Sequence, residues 1–141
     1  MRYWDTSAIV PLLIHEKSSG SARKLLKSHG QITIWWATSV ECYSAICRIE
    51  RQTKMSNEEF LRVTNRLSDL SSIWHEVQPT VGIRESALRL LRVHTLRAAD
   101  ALQLAAALSA CGQRPESCEF VTTDAKLIAA ANREGFKTVS F

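Results

Sequence analysis

Five short runs of β-branched and aromatic residues recur along the chain, separated by longer segments with helical spacing. This alternation restricts the fold more than any other feature. The runs are 2–5 (RYWD), 31–36 (QITIWW), 73–77 (IWHEV), 119–123 (EFVTT) and 137–140 (KTVS), and their composition predicts strands. Between them, residues 7–14, 18–29, 39–54, 56–72, 80–93, 98–111 and 124–134 predict helices. Punctuation agrees with these limits. Gly30 and Gly135 stand where helices end, Ser56 with Glu59 opens a helix, and Pro79 stops a strand. Pro11 within 7–14 predicts a kink or a late helix start. Strands alternating with helices imply an α/β fold, a parallel sheet covered by helices on both faces.

The 141 residues, 45% hydrophobic and 23% charged, suit a single domain over 1–141 and argue against disorder, collagen and coiled coil. No apolar run is long enough for a membrane span. Asp5 interrupts the early apolar stretch, so no signal peptide is expected and the expected compartment is the cytoplasm. Cys42, Cys47, Cys111 and Cys118 form no C-x-x-C pair and read as small core residues in a reducing compartment. A net charge of +4 permits a polyanionic partner without requiring one.

The acids carry more information. Asp5 and Asp124 fall at the carboxyl ends of predicted strands, where open parallel sheets bind ligands. Glu41 and Asp100 fall in first helical turns. Asp124 shares a helical face with Leu127, Ile128 and Ala131, and Asp100 with Leu104, Leu108 and Cys111; both therefore point toward the sheet rather than to water. Taken singly, each acid also suits a helix cap, and Thr38 with Glu41 makes a T-x-x-E capping-box pattern. Taken together they repel, because two carboxylates about 4 Å apart cost about 4 kcal/mol at an effective dielectric of 20. A hard divalent cation, Mg²⁺ or Mn²⁺, relieves that repulsion and suits an all-oxygen donor set. Such sites perform phosphate chemistry. The P-loop, G-x-G-x-x-G and G-x-S-x-G patterns are absent, and His15, His29, His75 and His94 form no H-x-x-x-H pair.

W-D-T-S-A-I at 4–9, S-V-E-C-Y-S-A-I at 39–46, L-R-A-A-D-A-L-Q-L-A-A-A-L at 96–108 and F-V-T-T-D-A-K-L at 120–127 together resemble the PIN-domain ribonucleases. Their order and spacing look like those of VapC toxins of toxin–antitoxin pairs. The resemblance implies a three-layer α/β/α fold with a five-stranded parallel sheet, and a Mg²⁺- or Mn²⁺-dependent endoribonuclease. By position, Asp5, Glu41, Asp100 and Asp124 would be its catalytic, metal-holding acids, and Ser7 and Thr122 its supporting hydrogen-bonding residues. It implies in-line attack of water on an RNA phosphodiester, leaving a 5′-phosphate and a 3′-hydroxyl. It also implies a homodimer and a small VapB-like antitoxin whose tail covers the groove.

Positive charge must guide RNA past four carboxylates. Arg97, three residues before Asp100, is the foremost phosphate-contact candidate. Arg84, Arg89 and Arg92 precede it, and Arg23, Lys24 and Lys27 form a second cluster. Trp4, Trp35, Trp36 and Trp74 are core or dimer-packing residues, or base-stacking ones. The alternatives are a PIN nuclease of RNA processing or of DNA without an antitoxin, and a PIN-like domain that only binds RNA or protein. A receiver-like signalling domain is disfavoured by Thr6-Ser7 after Asp5 and by Thr122-Thr123-Asp124 late in the chain, where such a domain needs paired acids and a lysine.

Overall fold

A computed structural model describes all 141 residues. Five strands form one sheet: β1 (Arg2–Trp4), β2 (Thr33–Trp35), β3 (His75–Val77), β4 (Glu119–Val121) and β5 (Lys137–Val139). All neighbouring pairs are parallel, in the order β3-β2-β1-β4-β5. Seven helices connect them: α1 (Thr6–Leu13), α2 (Ser19–His29), α3 (Thr38–Thr53), α4 (Asn57–Ser71), α5 (Val81–Val93), α6 (Ala98–Ala110) and α7 (Ala125–Arg133).

The sheet is buried on both faces, so its central strands carry apolar residues at successive positions instead of alternating with polar ones. Side chains alternate across a strand, and this sorts them into two cores. Tyr3, Trp35 and Phe120 face α5, α6 and α7, meeting Ile83, Leu90, Leu104 and Leu127. Trp4, Ile34 and Val121 face the opposite layer, where Ile9, Leu13, Ile46, Val63 and Leu67 project from α1, α3 and α4. Tyr3 stacks on Phe120 with ring centroids 5.4 Å apart. The result is the expected α/β/α arrangement. Three of the four tryptophans, Trp4, Trp35 and Trp74, are core residues, and only Trp36 is substantially exposed, at 49%.

The expected elements are all present, with ends moved by a residue or two: most are shorter, while α1 and α3 begin one residue early, at Thr6 and Thr38. Two local expectations change. Pro11 neither delays α1 nor ends it; the helix runs through it from Thr6. Pro11 has no N–H for the carbonyl of Ser7, and the Thr123 hydroxyl donates to that carbonyl instead, at 3.4 Å. The T-x-x-E pattern makes no capping box. Ala37 is the N-cap of α3, and the Thr38 hydroxyl accepts from Gln103 rather than from the helix backbone. Elsewhere the caps follow the sequence. Ser56 accepts from the Glu59 amide, and Gly30, at φ 64°, closes α2 in the left-handed region that glycine tolerates.

Strand order places the switch point between β1 and β4. The chain steps outward from β1 to β2 and β3, then returns to the other side of β1. The carboxyl ends of strands flanking such a point open into a crevice. No helix is long and apolar enough to cross a membrane.

Candidate active site

Asp5 stands immediately after β1 and N-caps α1, at 4% exposure. Its Oδ2 accepts three hydrogen bonds: from the Ser7 amide at 3.1 Å, the Ser7 hydroxyl at 2.6 Å and the Thr122 hydroxyl at 3.0 Å. Burial pushes its carboxyl up from 3.8 to about 6. The Ser7 and Thr122 donors oppose that rise, and the nearby charge of Glu41 adds to it.

Asp124 follows β4 at the other side of the switch point. It N-caps α7, with Oδ1 accepting from the Leu127 amide at 2.9 Å. Its own amide donates to the Thr122 hydroxyl at 3.1 Å. Thr122 therefore joins the two strand-end aspartates, donating to one and accepting from the other. Ser7 completes the link, because its hydroxyl also accepts from the Thr123 amide at 2.9 Å.

Glu41 lies in the first turn of α3, half-buried, after β2. Its Oε2 accepts from the Thr6 hydroxyl at 2.6 Å and from the Gln103 side-chain amide at 3.0 Å. Asp100 lies in the first turn of α6, also half-buried, and its Oδ2 accepts from the Arg97 amide at 3.3 Å. Arg97, Asp100, Asp124, Ala125 and Lys126 line one shallow pocket.

The four acids share a pattern. Each engages one carboxylate oxygen with protein donors: Oδ2 of Asp5 and of Asp100, Oε2 of Glu41 and Oδ1 of Asp124. The second oxygen of each is left without a protein donor. A carboxylate present only as a cap has no need of burial or of a second carboxylate beside it. The donor set is all oxygen, hard and anionic, which fits a Mg²⁺- or Mn²⁺-class cation. No three of the site's carboxylates stand close enough in the present side-chain arrangement to hold one ion.

The sequence matches the PIN domain family over residues 2–133. The chain belongs to that family. This PIN domain is 30% identical over 144 residues to Ribonuclease VapC47 of Mycobacterium tuberculosis, across 99% of this chain and 96% of that relative. Its fold is similar to that of Mycobacterium tuberculosis VapC20, described as a sarcin-ricin loop cleaving toxin. That likeness has a TM-score of 0.69 and 18% identity, over 96% of each chain. It is also similar to VapBC2 from Rickettsia felis, solved bound to a DNA fragment from the promoter of the pair. There the TM-score is 0.65 and the identity 16%, over 99% of this chain and 98% of that one.

In this PIN domain the structure joins Asp5, Ser7, Thr122 and Asp124 through hydrogen bonds. It brings Asp100 and Asp124 to one pocket with Arg97, and sets Glu41 within electrostatic reach of Asp5. Asp124 is the N-cap rather than a member of the apolar face of α7, so it is half-buried beside that face. Of the basic clusters, Arg23, Lys24 and Lys27 stay exposed on α2, whereas Arg89 is engaged with Glu134 at 2.6 Å.

Four residues hold the site in roles the sequence did not announce: Tyr3, Thr6, Thr38 and Gln103. Gln103 bonds to the other three and to Glu41. A signal for it was present, since it is the lone polar residue within ALQLAAAL (101–108), and a buried amide there demands partners. Tyr3 is also held protonated. Burial, and then the charges of Asp5 and Glu41, push its phenol well above its ordinary 10.0.

Proposed function

We propose that this chain is a Mg²⁺- or Mn²⁺-dependent endoribonuclease acting as the toxin of a VapBC-like pair. The observation that carries the reading is the half-engaged carboxylate set at the switch point of a PIN domain similar along its whole length to a VapC ribonuclease. Asp5, Asp100 and Asp124 would hold the principal cation, with Glu41 contributing directly, through water, or at a second ion. When bound, the cation supplies positive charge that acidifies an attacking water and neutralises the scissile phosphate.

The remaining work belongs to the chain. Ser7 and Thr122 fix Asp5 by occupying Oδ2, which leaves Oδ1 without a protein donor and open to a cation. Hydroxyl and amide donors on one carboxylate oxygen orient the other toward a metal. Arg97 and Lys126 line the same pocket as Asp100 and Asp124, and offer cations to the RNA backbone beside the acids. The chain holds no Cys–His or Ser–His arrangement aimed into the crevice, and hydrolysis by activated water needs no covalent nucleophile. The same reading brings a VapB-like antitoxin as protein partner, RNA as substrate, a homodimer as the assembly and the cytoplasm as the compartment.

The test is induced expression of the wild type beside Asp5→Ala and Asp100→Ala, with growth followed and total RNA separated at early times. Growth arrest and discrete RNA fragments from the wild type alone support the reading, and a short neighbouring reading frame whose co-expression restores growth would mark the antitoxin. Intact RNA in cells holding soluble wild-type protein refutes the toxin reading. Variants as harmful as the wild type refute the carboxylate mechanism.

A further inference from the structure

Gln103 is 1% exposed and lies one turn into α6 from Asp100, on the face turned to the sheet. Only one orientation of its side-chain amide satisfies its surroundings. The Tyr3 hydroxyl approaches Oε1 at 2.8 Å. On the other side Nε2 meets three oxygens, which share its two N–H groups: Glu41 Oε2 at 3.0 Å, Thr6 Oγ1 at 3.0 Å and Thr38 Oγ1 at 3.2 Å. A flipped amide would set its oxygen against the Glu41 carboxylate with no proton between them, and would leave the Tyr3 hydroxyl proton without its acceptor.

Proton accounting then ties Thr6 to the same group. The single hydroxyl proton of Thr6 goes to Glu41 Oε2 at 2.6 Å. Thr6 Oγ1 must therefore accept, and Gln103 is its donor. Both donors on Glu41 Oε2 depend on Gln103, one directly and one through Thr6. Gln103 stands in the α5–α7 layer, while Thr6 and Glu41 stand in the α1–α4 layer, so the buried amide ties the two helical layers together.

We propose that Gln103 is a positioning residue for Glu41, fixing its Oε2 so that Oε1 is presented to the cation. This rests on the reading of Glu41 as part of the cation site. Losing an orienting partner of a metal ligand weakens metal affinity by about 10–100-fold. A core amide present only for packing would change stability and nothing else.

The experiment compares wild type, Glu41→Gln, Gln103→Met and the double variant. Free Mn²⁺ is titrated by electron paramagnetic resonance, RNA cleavage is measured at saturating Mn²⁺, and Tm is recorded without metal. Gln103→Met is expected to raise the Mn²⁺ Kd at least tenfold. In the Glu41→Gln background the same change is expected to add less than twofold, because its effect passes through Glu41. If Gln103→Met folds too poorly to titrate, Thr6→Val removes the second donor and is expected to shift the Mn²⁺ Kd in the same direction. Wild-type Mn²⁺ affinity in Gln103→Met, or an effect that is fully additive with Glu41→Gln, overturns the proposal. Wild-type affinity and cleavage in Glu41→Gln itself would instead overturn the assignment of Glu41 to the cation site, and this inference with it.

Discussion

Replacing Asp5 by Asn in the metal-free protein should make the fold more stable at neutral pH. The buried carboxyl is held at about 6 rather than 3.8, so the folded state binds the proton more tightly than the unfolded chain. Stability from this group is therefore present below about pH 4 and lost as pH rises to about 6. A tenfold difference in proton affinity is about 1.4 kcal/mol, so the ionised carboxylate destabilises the fold by about 3 kcal/mol at pH 7.5. Asn keeps an oxygen for the Ser7 and Thr122 donors, but sets an NH₂ where the free oxygen was. Leaving that amide without a partner costs about 1 kcal/mol. The net gain is about 2 kcal/mol, or roughly 4–8 °C in Tm for a chain of this size.

Thermal and urea unfolding in chelator from pH 4 to 7.5 measure this directly. The gap between Asp5→Asn and wild type should be small or reversed near pH 4 and grow to its full value by pH 7. Taking the difference removes Glu119 and Glu134, which titrate alike in both proteins. Added Mn²⁺ should then stabilise the wild type and leave Asp5→Asn nearly unmoved. A gap that stays constant over the whole pH range, or an Asp5→Asn protein less stable at pH 7.5, would refute the account of a buried charge awaiting a counterion.

Glu134 accepts from Arg89 at 2.6 Å and pairs with the buried His94 at 2.7 Å, and Arg89 first and His94 after it hold its carboxyl below the ordinary 4.5. Glu134→Ala should cost about 2 kcal/mol in urea unfolding at pH 7, with the difference shrinking as pH falls through the lowered value. Leu104→Ala, at a fully buried position of α6, should cost about 2–5 kcal/mol, and an effect below 1 kcal/mol would mean the α6 core is misdescribed. Arg97→Ala, tested for RNA binding in an Asp5→Ala background, should weaken every RNA sequence alike and reduce the log–log salt slope by about 0.7. An unchanged slope removes Arg97 from the RNA path.

The fold was legible because both faces of the sheet are buried. Tyr3-Trp4, Ile34-Trp35 and Phe120-Val121 read as short apolar runs, and the segments between them are too long for hairpins. The acids were legible because they sit at element junctions, where position alone implies a shared end. The hydroxyl partners of Asp5, two residues beyond Asp5 and two before Asp124, came only through the resemblance to PIN domains, since position alone does not say which neighbour a carboxylate bonds. Gln103, Thr6, Thr38 and Tyr3 were not legible, because their roles depend on contacts between elements far apart in the chain. Gln103 meets Thr38 across 65 residues and Tyr3 across 100, and no local spacing encodes either pairing. Thr38 misled for a related reason. T-x-x-E is a local signal, but Gln103 reached its hydroxyl and Glu41 first.

Capping and the proposed ligand binding do not compete for these acids. A carboxylate has two oxygens. Asp5 and Asp124 each use one to cap a helix, through Ser7 and Leu127. Asp100 uses one on the Arg97 amide and Glu41 one on Thr6 and Gln103. Each engaged oxygen fixes the rotamer of its side chain, and the fixed rotamer directs the second oxygen. In the proposed cation site the structural role thus holds one oxygen of each acid and leaves the other without a protein donor, although the four are not gathered closely enough here to hold one ion. A serine or threonine cap would hold the helix equally but offer no second anionic oxygen. Substituting Asp124 by Ser therefore separates the two roles within one side chain: α7 keeps its cap while the crevice loses one of its charges.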